Sequence, residues 1–366
     1  MQSDLIYQLA LTLVPNIGPV QAKALLQHFE VRDIFRAKKK DLERIEGIGA
    51  IKAASIKSFS SFDLVEKEIV FIEKFGIRPV FLTDTSYPRR LLNCYDSPTL
   101  LFCKGETDLN QARIISVIGT RNNTEYGRQA TEKLIADLKS QGVLIVSGLA
   151  FGIDAIAHKS AVKNNCPTVG VLAHGLDQVY PSQHTGLARE MIRSGGSLLT
   201  EFRSGTKPDK HNFPIRNRVV AGICDAVVVI ETGQKGGSII TADLANSYNR
   251  DVFAIPGRIN DPRSAGCNEL IRRNKATLLT SARDLIEMMG WEAPRTAVRH
   301  KQRELFPDLT GEERQVLEII GSRKAVHIDE INMRSGLSNS KVAAAILNLE
   351  LRNVVLSLPG KLYQLA

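Results

Sequence analysis

The stretch IISVIGTRNN, residues 114–123, decides the fold of this chain of 366 residues. Its opening residues are nearly all apolar and mostly β-branched, as in a strand that is buried on both faces. The strand runs directly into Gly119, Thr120 and Arg121, and a helical pattern follows over about 125–140. A buried strand, a glycine turn and a helix in this order form the repeating unit of parallel sheets.

The same unit recurs through residues 80–290. Strands are predicted at IISVIG (114–119), VLIVSG (143–148), TVGVLA (168–173), SLLTEF (197–202), DAVVVIE (225–231) and DVFAIPG (251–257). Helices are predicted over about 125–140, from about 152, near 184–194 and from about 238. The alternation predicts an α/β domain with a doubly wound, mostly parallel sheet.

Ligands of such sheets bind beyond the carboxyl ends of the strands. Glycine-rich turns occur there at 119–121, at 147–152 and at 233–238. Turns of this kind at helix N-termini offer backbone N–H donors to phosphate oxygens. None of them has the spacing of a dinucleotide-binding or P-loop motif, so neither NAD nor P-loop ATP chemistry is predicted.

The stretch KHNFPIRNRVVAG, residues 210–222, follows the fourth strand and adds cations and planar side chains. The cations of this stretch and of the glycine turns are Arg121, Lys210, Arg216, Arg218 and Lys235. Phe213 can stack on a base, and Phe151 or Tyr180 are further candidates. The combination predicts a phosphate-rich ligand with exposed bases. On a helix, Arg216 and Arg218 splay apart, so one of the two can be structural and ion-paired.

Residues 1–75 are predicted to form a helical domain. PNIGPVQAKALLQHF (15–29) and IEGIGAIKAASI (45–56) each combine a tight glycine turn with a helix of small residues. The pattern resembles the helix-hairpin-helix motif, in which N–H groups approach a phosphate. The alternative is a pair of turns that serve packing alone.

Residues 307–366 have three helical segments and a hairpin-like end around Pro359-Gly360, which is typical of a winged helix-turn-helix. The predicted recognition helix starts near Ser338 and has one lysine, Lys341. Its otherwise small, apolar residues favour a protein contact or a weak DNA contact over duplex binding. Residues 291–306 are predicted to be a polar linker.

The net charge of +9 is concentrated in the middle of the chain. Residues 76–306 contain 30 Lys and Arg against 22 Asp and Glu, whereas the two ends are close to neutral. This bias is compatible with a polyanionic partner or with a plain basic surface. Five widely spaced cysteines and the absence of an apolar run of 18 residues or of a signal-like start predict a cytoplasmic protein with no membrane partner.

No metal site, cofactor or catalytic residue is predicted. The histidines and cysteines lack metal-binding spacings. His158 is expected to be a packed residue, and Asp154 an acid of a first helical turn. Glu231 and Asp177 are candidate carboxylates without an evident acid–base partner.

Seven motifs, in this order, closely resemble the DNA-processing protein A family, also called DprA or Smf. They are VIGTRNNTEYG, SGLAFGIDAIAH, AHGLDQVYP, EFRSGTKPDKHNFPIRNRVVAG, ETGQKGGSIITADLA, FAIPG and SAGCNELI. The resemblance implies an extended Rossmann-like central domain, a sterile-alpha-motif-like N-terminal domain and a C-terminal winged helix. It also implies single-stranded DNA binding, a homodimer formed through the central domain, and loading of the RecA recombinase during natural transformation, without enzyme activity.

The DNA site that the turns and the resemblance together predict has fifteen residues. They are Gly119, Thr120, Arg121, Ser147, Gly148, Gly152, Lys210, Phe213, Arg216, Asn217, Arg218, Lys235, Gly236, Gly237 and Ser238. The chain has Gly-Thr-Arg where Gly-Ser-Arg is commoner in the family, which keeps both the hydroxyl and the arginine. It has Lys-Gly-Gly-Ser where many members have Ser-Gly-Ser, so the role of Lys235 is the least defined.

Two other functions are compatible with parts of the sequence. The loop after Glu231 resembles that of nucleotide phosphoribohydrolases, which bind a nucleoside monophosphate on a Rossmann-like fold. A transcription regulator would use the winged helix to bind duplex DNA. The first does not need the accessory domains or the basic centre, and the neutral recognition helix argues against the second.

Overall fold

The computed structural model describes residues 2–291, 309–321, 325–352, 354–358 and 360–365. The chain divides into two compact units, Met1–Trp291 and Glu292–Ala366. The predicted helical domain (1–75) and the predicted sheet domain (80–290) therefore belong to one compact unit. Apart from Trp291, the linker predicted at 291–306 lies outside the described residues, as does Pro359.

The first unit begins with six helices. They are α1 (Gln2–Leu13), α2 (Pro19–Leu26), α3 (Val31–Arg36), α4 (Lys39–Glu43), α5 (Gly49–Lys57) and α6 (Phe62–Phe75). The two predicted glycine turns precede α2 and α5. At the first, the Gly18 N–H donates to Gln21 Oε1 at 3.1 Å, and Pro19 opens the helix. The helices form a core of their own that also takes in Phe81, Leu100 and Phe102 from the neighbouring strands.

A sheet of nine strands forms the centre of this unit. Its strands are β1 (Arg78–Phe81), β2 (Leu100–Gly105), β3 (Ile114–Ile118), β4 (Leu144–Ser147), β5 (Thr168–Val171), β6 (Ser197–Thr200), β7 (Ala226–Val229), β8 (Asp251–Ala254) and β9 (Thr277–Leu278). The strand order is β1-β2-β6-β5-β4-β3-β7-β8-β9, with every pair from β6 to β9 parallel. The six predicted strands are β3 to β8, so the prediction of a mostly parallel α/β sheet is confirmed.

Three strands were missed. β1 contains Pro79, and β9 is two exposed residues long, so neither has the continuous apolar run of a central strand. β2 is buried, but it pairs antiparallel with both β1 and β6, outside the strand–helix alternation. The antiparallel strands β1 and β2 join the sheet to the N-terminal helices.

Helices cover both faces of the sheet. They are α7 (Arg89–Leu92), α8 (Glu125–Leu138), α9 (Ile153–Lys163), α10 (Thr185–Arg193), α11 (Asn212–Gly222), α12 (Gly237–Ser247), α13 (Ala265–Arg272) and α14 (Ala282–Met288). From β3 the chain moves to β4, β5 and β6 on one side, and it then returns through α11 to β7 on the other side of β3. The strand order thus reverses beside β3, which is where open sheets of this type bind ligands.

The second unit has a small core of its own. Its elements are α15 (Gly311–Gly321), β10 (Val326–His327), α16 (Ile328–Ser335), α17 (Asn339–Leu351), β11 (Val355–Leu358) and β12 (Leu362–Leu365). The three strands pair antiparallel in the order β10-β12-β11, and Val316, Ile331 and Ile346 are buried among the helices. Three helices with a terminal hairpin confirm the predicted winged helix.

No helix in the described parts of the chain is long and apolar enough to cross a membrane.

Residues 1–291 produced alone should fold as the intact chain does. Among the described residues, each hydrophobic cluster takes its members from one unit, and Trp291 packs on the cluster that contains Ile115, Ile145 and Leu285. We expect cooperative thermal unfolding with a midpoint within a few degrees of the corresponding transition in the full chain, measured by circular dichroism. Aggregation, or a much lower midpoint, would contradict the independence of this unit.

Candidate nucleic-acid interface

A cavity of about 330 Å³ lies where the strand order reverses. It is bounded by the turns that follow β3, β4 and β7 and by the start of α11. Eleven of the predicted site residues line it: Gly119, Thr120, Arg121, Gly148, Phe213, Arg216, Asn217, Lys235, Gly236, Gly237 and Ser238. Residues that are more than 100 positions apart in sequence therefore meet at one edge of the sheet.

The N-terminus of α12 faces this cavity. Gly237 and Ser238 occupy the first two positions of the helix, and within the described residues their N–H groups have no acceptor. The hydroxyl of Ser238 donates to Thr232 Oγ1 at 2.7 Å, which fixes the loop onto the helix. Free N–H groups at the positive end of a helix dipole make this a favourable position for a phosphate.

Arg216 lies at the floor of the cavity and is almost completely buried. Its Nη1 group donates to the carbonyl oxygens of Gly148 at 2.5 Å and Val171 at 2.6 Å, at the ends of β4 and β5. A β-carbon at position 148 would overlap the guanidinium, so only glycine leaves room for it. The side chain is thereby held in place as a fixed positive charge.

Asp154, in the first turn of α9, is the acid that lines the cavity. Burial raises the pKa of its carboxyl group, and the charge of Arg216 acts in the opposite direction. Burial lowers the pKa of Arg216, with Asp154 opposing, but an arginine stays protonated at neutral pH. One acid faces three cations, Arg121, Arg216 and Lys235, so the lining as a whole favours an anion.

Arg121 and Lys235 are exposed and have no ion-pair partner in the described part of the chain. The Cζ atom of Arg121 lies 5.2 Å from the ring centre of Phe213, and that of Arg216 lies 6.0 Å from it. Tyr180 packs against the same ring with a centroid distance of 6.2 Å. Arg121 thus lies next to the packed rings of Phe213 and Tyr180.

Four predicted residues do not line the cavity. Ser147 is buried and donates to the Val117 carbonyl oxygen at 2.6 Å, and Lys210 lies exposed on the loop before α11. Gly152, at a φ of 77°, allows the start of α9 to approach Thr120, whose carbonyl oxygen accepts the Ile153 N–H at 3.2 Å. Ser147 and Gly152 therefore have structural roles next to the site.

Arg218 is the fourth, and its placement corrects the expectation that both arginines of α11 face the ligand. Its guanidinium is ion-paired with Glu201 and donates to the Asp96 carbonyl oxygen. The i, i+2 spacing turns it away from Arg216, as the helical period requires. The prediction that one of the two arginines is structural and ion-paired is confirmed.

The candidate carboxylates also have partners. Glu231 accepts the N–H and the hydroxyl of Thr124, both at 2.8 Å, and so holds the start of α8. Asp177 accepts the Gly205 N–H at 2.9 Å. Neither lines the cavity, and no group of three metal-ligating residues occurs in the described ranges.

His158 is completely buried, as predicted. Its Nδ1 contacts Thr168 Oγ1 at 2.7 Å, and since that hydroxyl donates to the Ile145 carbonyl oxygen, Nδ1 carries the proton. Its Nε2 is buried without a partner. Burial and then the charges of His184 and Arg216 lower the pKa of His158 to about 3. A ring without access to the cavity cannot act there as a base.

Several lining residues are absent from the predicted site. Thr232, Gly233 and Thr241 belong to the loop and the first turns of α12. Thr241 follows Ser238 by three positions, so the helical period alone could have placed it on the same side.

The winged helix offers a second candidate surface. Lys341, near the start of α17, forms an ion pair with Glu312 at 2.7 Å. The exposed residues that continue along this helix include Ala344, Leu347 and Leu351. A lysine that is already paired and an apolar helix face are poorly suited to a phosphate backbone.

Three family models match the chain. One described as DNA recombination-mediator protein A matches residues 78–290. A SAM-like helix-hairpin-helix tandem matches 9–59, and a DprA winged helix domain matches 301–361. The match to the central domain contains the whole of the cavity described above.

Curated relatives and solved structures agree with these matches. Protein Smf of Synechocystis sp. is 34% identical over 99% of both chains, and DNA processing protein DprA of Bacillus subtilis is 38% identical over 65% of this chain and 80% of its own. The X-ray structure of DprA from Streptococcus pneumoniae superposes with a TM-score of 0.65 at 33% identity, over 77% of this chain and 97% of that one. DNA processing protein A of Helicobacter pylori, solved for its single-stranded DNA binding mode, gives 0.53 at 30% identity, over 59% and 96%.

Replacing Arg218 by alanine should destabilise the protein. The change leaves Glu201 buried without its cation, a loss of about 3–5 kcal/mol for buried pairs. Burial, now unopposed by Arg218, raises the pKa of Glu201, so we expect a larger loss at pH 8 than at pH 6. Urea unfolding measures the difference. Lys235→Ala, at an exposed and unpaired position, is the matched control and should change stability by less than about 0.5 kcal/mol.

His158 should make folding sensitive to acid. Its pKa is about 3 in the folded protein and near 6.5 in the unfolded chain, so the unfolded state binds the proton first as the pH falls below 6.5. The free energy of unfolding should decrease by roughly 3 kcal/mol between neutral pH and pH 4.5 from this residue alone. Urea unfolding of His158→Gln should lack this component, and an equal pH dependence in both proteins would refute it.

Proposed function

The chain belongs to the DNA recombination-mediator protein A family of DNA-processing proteins, and from that premise we propose that its central cavity binds single-stranded DNA. The observation that carries the proposal is the meeting of two features in one cavity. Unpaired cations and free helix N–H groups lie there beside the half-buried ring of Phe213. Together they match a strand whose phosphates and unstacked bases are both accessible.

The backbone of the strand passes over the α12 end of the cavity. Lys235 and the N–H groups of Gly237 and Ser238 contact phosphate oxygens, and Arg216 supplies a fixed charge below them. Arg121 faces the same space from the turn after β3. None of these contacts involves a base edge, so the binding is independent of sequence.

Phe213 stands between the phosphate contacts and the bases. Because Arg121 lies over its ring, a base on that side stacks on the guanidinium, with the Phe213 ring beneath it. Arginine and aromatic planes are both used in this way by proteins that bind single strands.

The proposed activity is binding without a catalytic step. The carboxylates that a nucleotide hydrolase would need already have partners: Glu231 holds the start of α8, and Asp154, which lines the cavity, is buried beside Arg216. His158 has no access to the cavity. The lining is therefore suited to binding an anion and not to acid–base catalysis.

Within this proposal, the chain protects incoming single strands and loads the RecA recombinase onto them during natural transformation or recombination. The family resemblance also implies a homodimer formed through the central domain. The five cysteines are all free and buried, which fits a protein of the reducing cytoplasm. The apolar face of α17 supports a protein contact for the winged helix.

Lys235→Ala and Arg121→Ala should each weaken binding to a labelled oligonucleotide and reduce its dependence on salt. Removing one phosphate interaction lowers the slope of log K against log salt by about 0.7 for a single strand. Fluorescence anisotropy across a salt series measures both quantities. Lys133→Ala removes an exposed lysine on α8, away from the cavity, and should change neither.

An unchanged affinity and slope in both variants would remove the cavity from the binding surface. If the wild-type protein binds no strand and releases free base from nucleoside monophosphates, the hydrolase alternative replaces the proposal.

A further inference from the structure

A second depression adjoins the cavity on the far side of Phe213. The two share the wall formed by Arg121, Gly148, Ala150, Phe213 and Arg216. The residues that line only the second one are Phe151, Leu172, Ala173, His174, Tyr180 and Pro181. Across the shared wall the surface therefore changes from glycine turns and cations to aromatic and apolar side chains.

Phe151 is displayed outward by a strained turn. Leu149 and Gly152, on either side of it, have φ values of 57° and 77°. A left-handed leucine costs free energy, and it persists where its surroundings fix it. Leu149 is fully buried, and its carbonyl oxygen accepts the Nδ1–H of His184 at 2.8 Å. The Phe151 ring packs against the His184 ring in a T-shaped arrangement with the ring centroids 5.0 Å apart, and Phe151 is still 45% exposed.

Tyr180 is held by a second histidine. Its N–H donates to Nε2 of His174 at 3.2 Å, and the Nδ1–H of His174 donates to the Gly175 carbonyl oxygen at 2.9 Å. His174 is buried, so this bond fixes the loop at Tyr180. The Tyr180 ring packs against Phe213 and is 47% exposed.

These two rings differ from Phe213 in their surroundings. Phe213 already has a guanidinium over its ring, whereas no cation lies over Phe151 or Tyr180 in the described part of the chain. Because Phe151 and Tyr180 are nearly half exposed, packing in the hydrophobic core does not account for their fixed positions. Rings that are ordered before a ligand arrives lose little conformational entropy when it binds.

We propose that Phe151 and Tyr180 form a base-stacking platform beside the phosphate cavity. The phosphates of the strand then contact Lys235 and the start of α12. A neighbouring base stacks on Phe151 and Tyr180, on the other side of the shared wall. The depression encloses about 30 Å³, so the base rests on its aromatic rim and is not inserted. This inference rests on the proposed function and adds the position at which the bases of the strand bind.

The test compares a base-bearing oligonucleotide with one of equal length whose sugars carry no bases. Phe151→Ala and Tyr180→Ala should weaken binding of the first by about 5- to 150-fold, the range for one stacked base, and leave the second unchanged. The slope against salt should stay the same, because every phosphate interaction is kept. Lys235→Ala should instead weaken both oligonucleotides and lower the slope.

Controls separate stacking from misfolding. Tyr180→Phe keeps the ring and should restore wild-type affinity. Tyr126→Ala removes a ring that is 49% exposed on α8, outside both depressions, and should have no effect. A 2-aminopurine placed in the strand should lose fluorescence on binding to the wild type and keep more of it with either alanine variant.

The platform is ruled out if both alanine variants bind the base-bearing strand as the wild type does, or if they lose affinity equally for both strands. Failure of the wild type to bind either strand overturns the proposed function, and the platform with it.

Discussion

The site depends on one buried guanidinium. Arg216 reaches from α11 to the carbonyl oxygens at the ends of β4 and β5, and Gly148 leaves the space for it. Through these bonds the helix that follows β6 is tied to the edge of the sheet where the strand order reverses. Phe213, one turn earlier on α11, takes its position from the same attachment, and Arg121 then lies over its ring. Loss of Arg216 would therefore disorganise the aromatic wall as well as remove a charge.

Around this attachment the surface has two chemically different sides, one charged and rich in hydrogen-bond donors and the other aromatic. On one side, glycine turns, Lys235 and the start of α12 present donors and charge. On the other, Phe151 and Tyr180 present rings that the fold has positioned with two buried histidines. A nucleic-acid strand has the same division, with phosphates along one edge and bases along the other. The proposed function follows from this correspondence more than from the net charge, which many basic surfaces share.

Much of this could be predicted from sequence, because the central strands are continuous apolar runs and glycine marks each turn. The topology then brings the ends of β3, β4 and β7 together, so Gly119, Arg121 and Lys235 were placed correctly without coordinates. Edge strands were missed because β1 and β9 lack that apolar signal. The direction of Arg218 was open, since spacing shows that two arginines diverge but not which one meets Glu201. Nothing in the sequence shows that Leu149 is left-handed, so the display of Phe151 required the structure.

The central claim is that the cavity of the first unit binds a single strand. Its most direct test is the affinity of the wild-type protein for a labelled single strand and for the matching duplex, measured by fluorescence anisotropy over a series of salt concentrations. We expect tight, salt-dependent binding of the single strand and much weaker binding of the duplex, whose bases are stacked and inaccessible to the aromatic rings. A preference for the duplex would contradict it and would assign DNA binding to the winged helix.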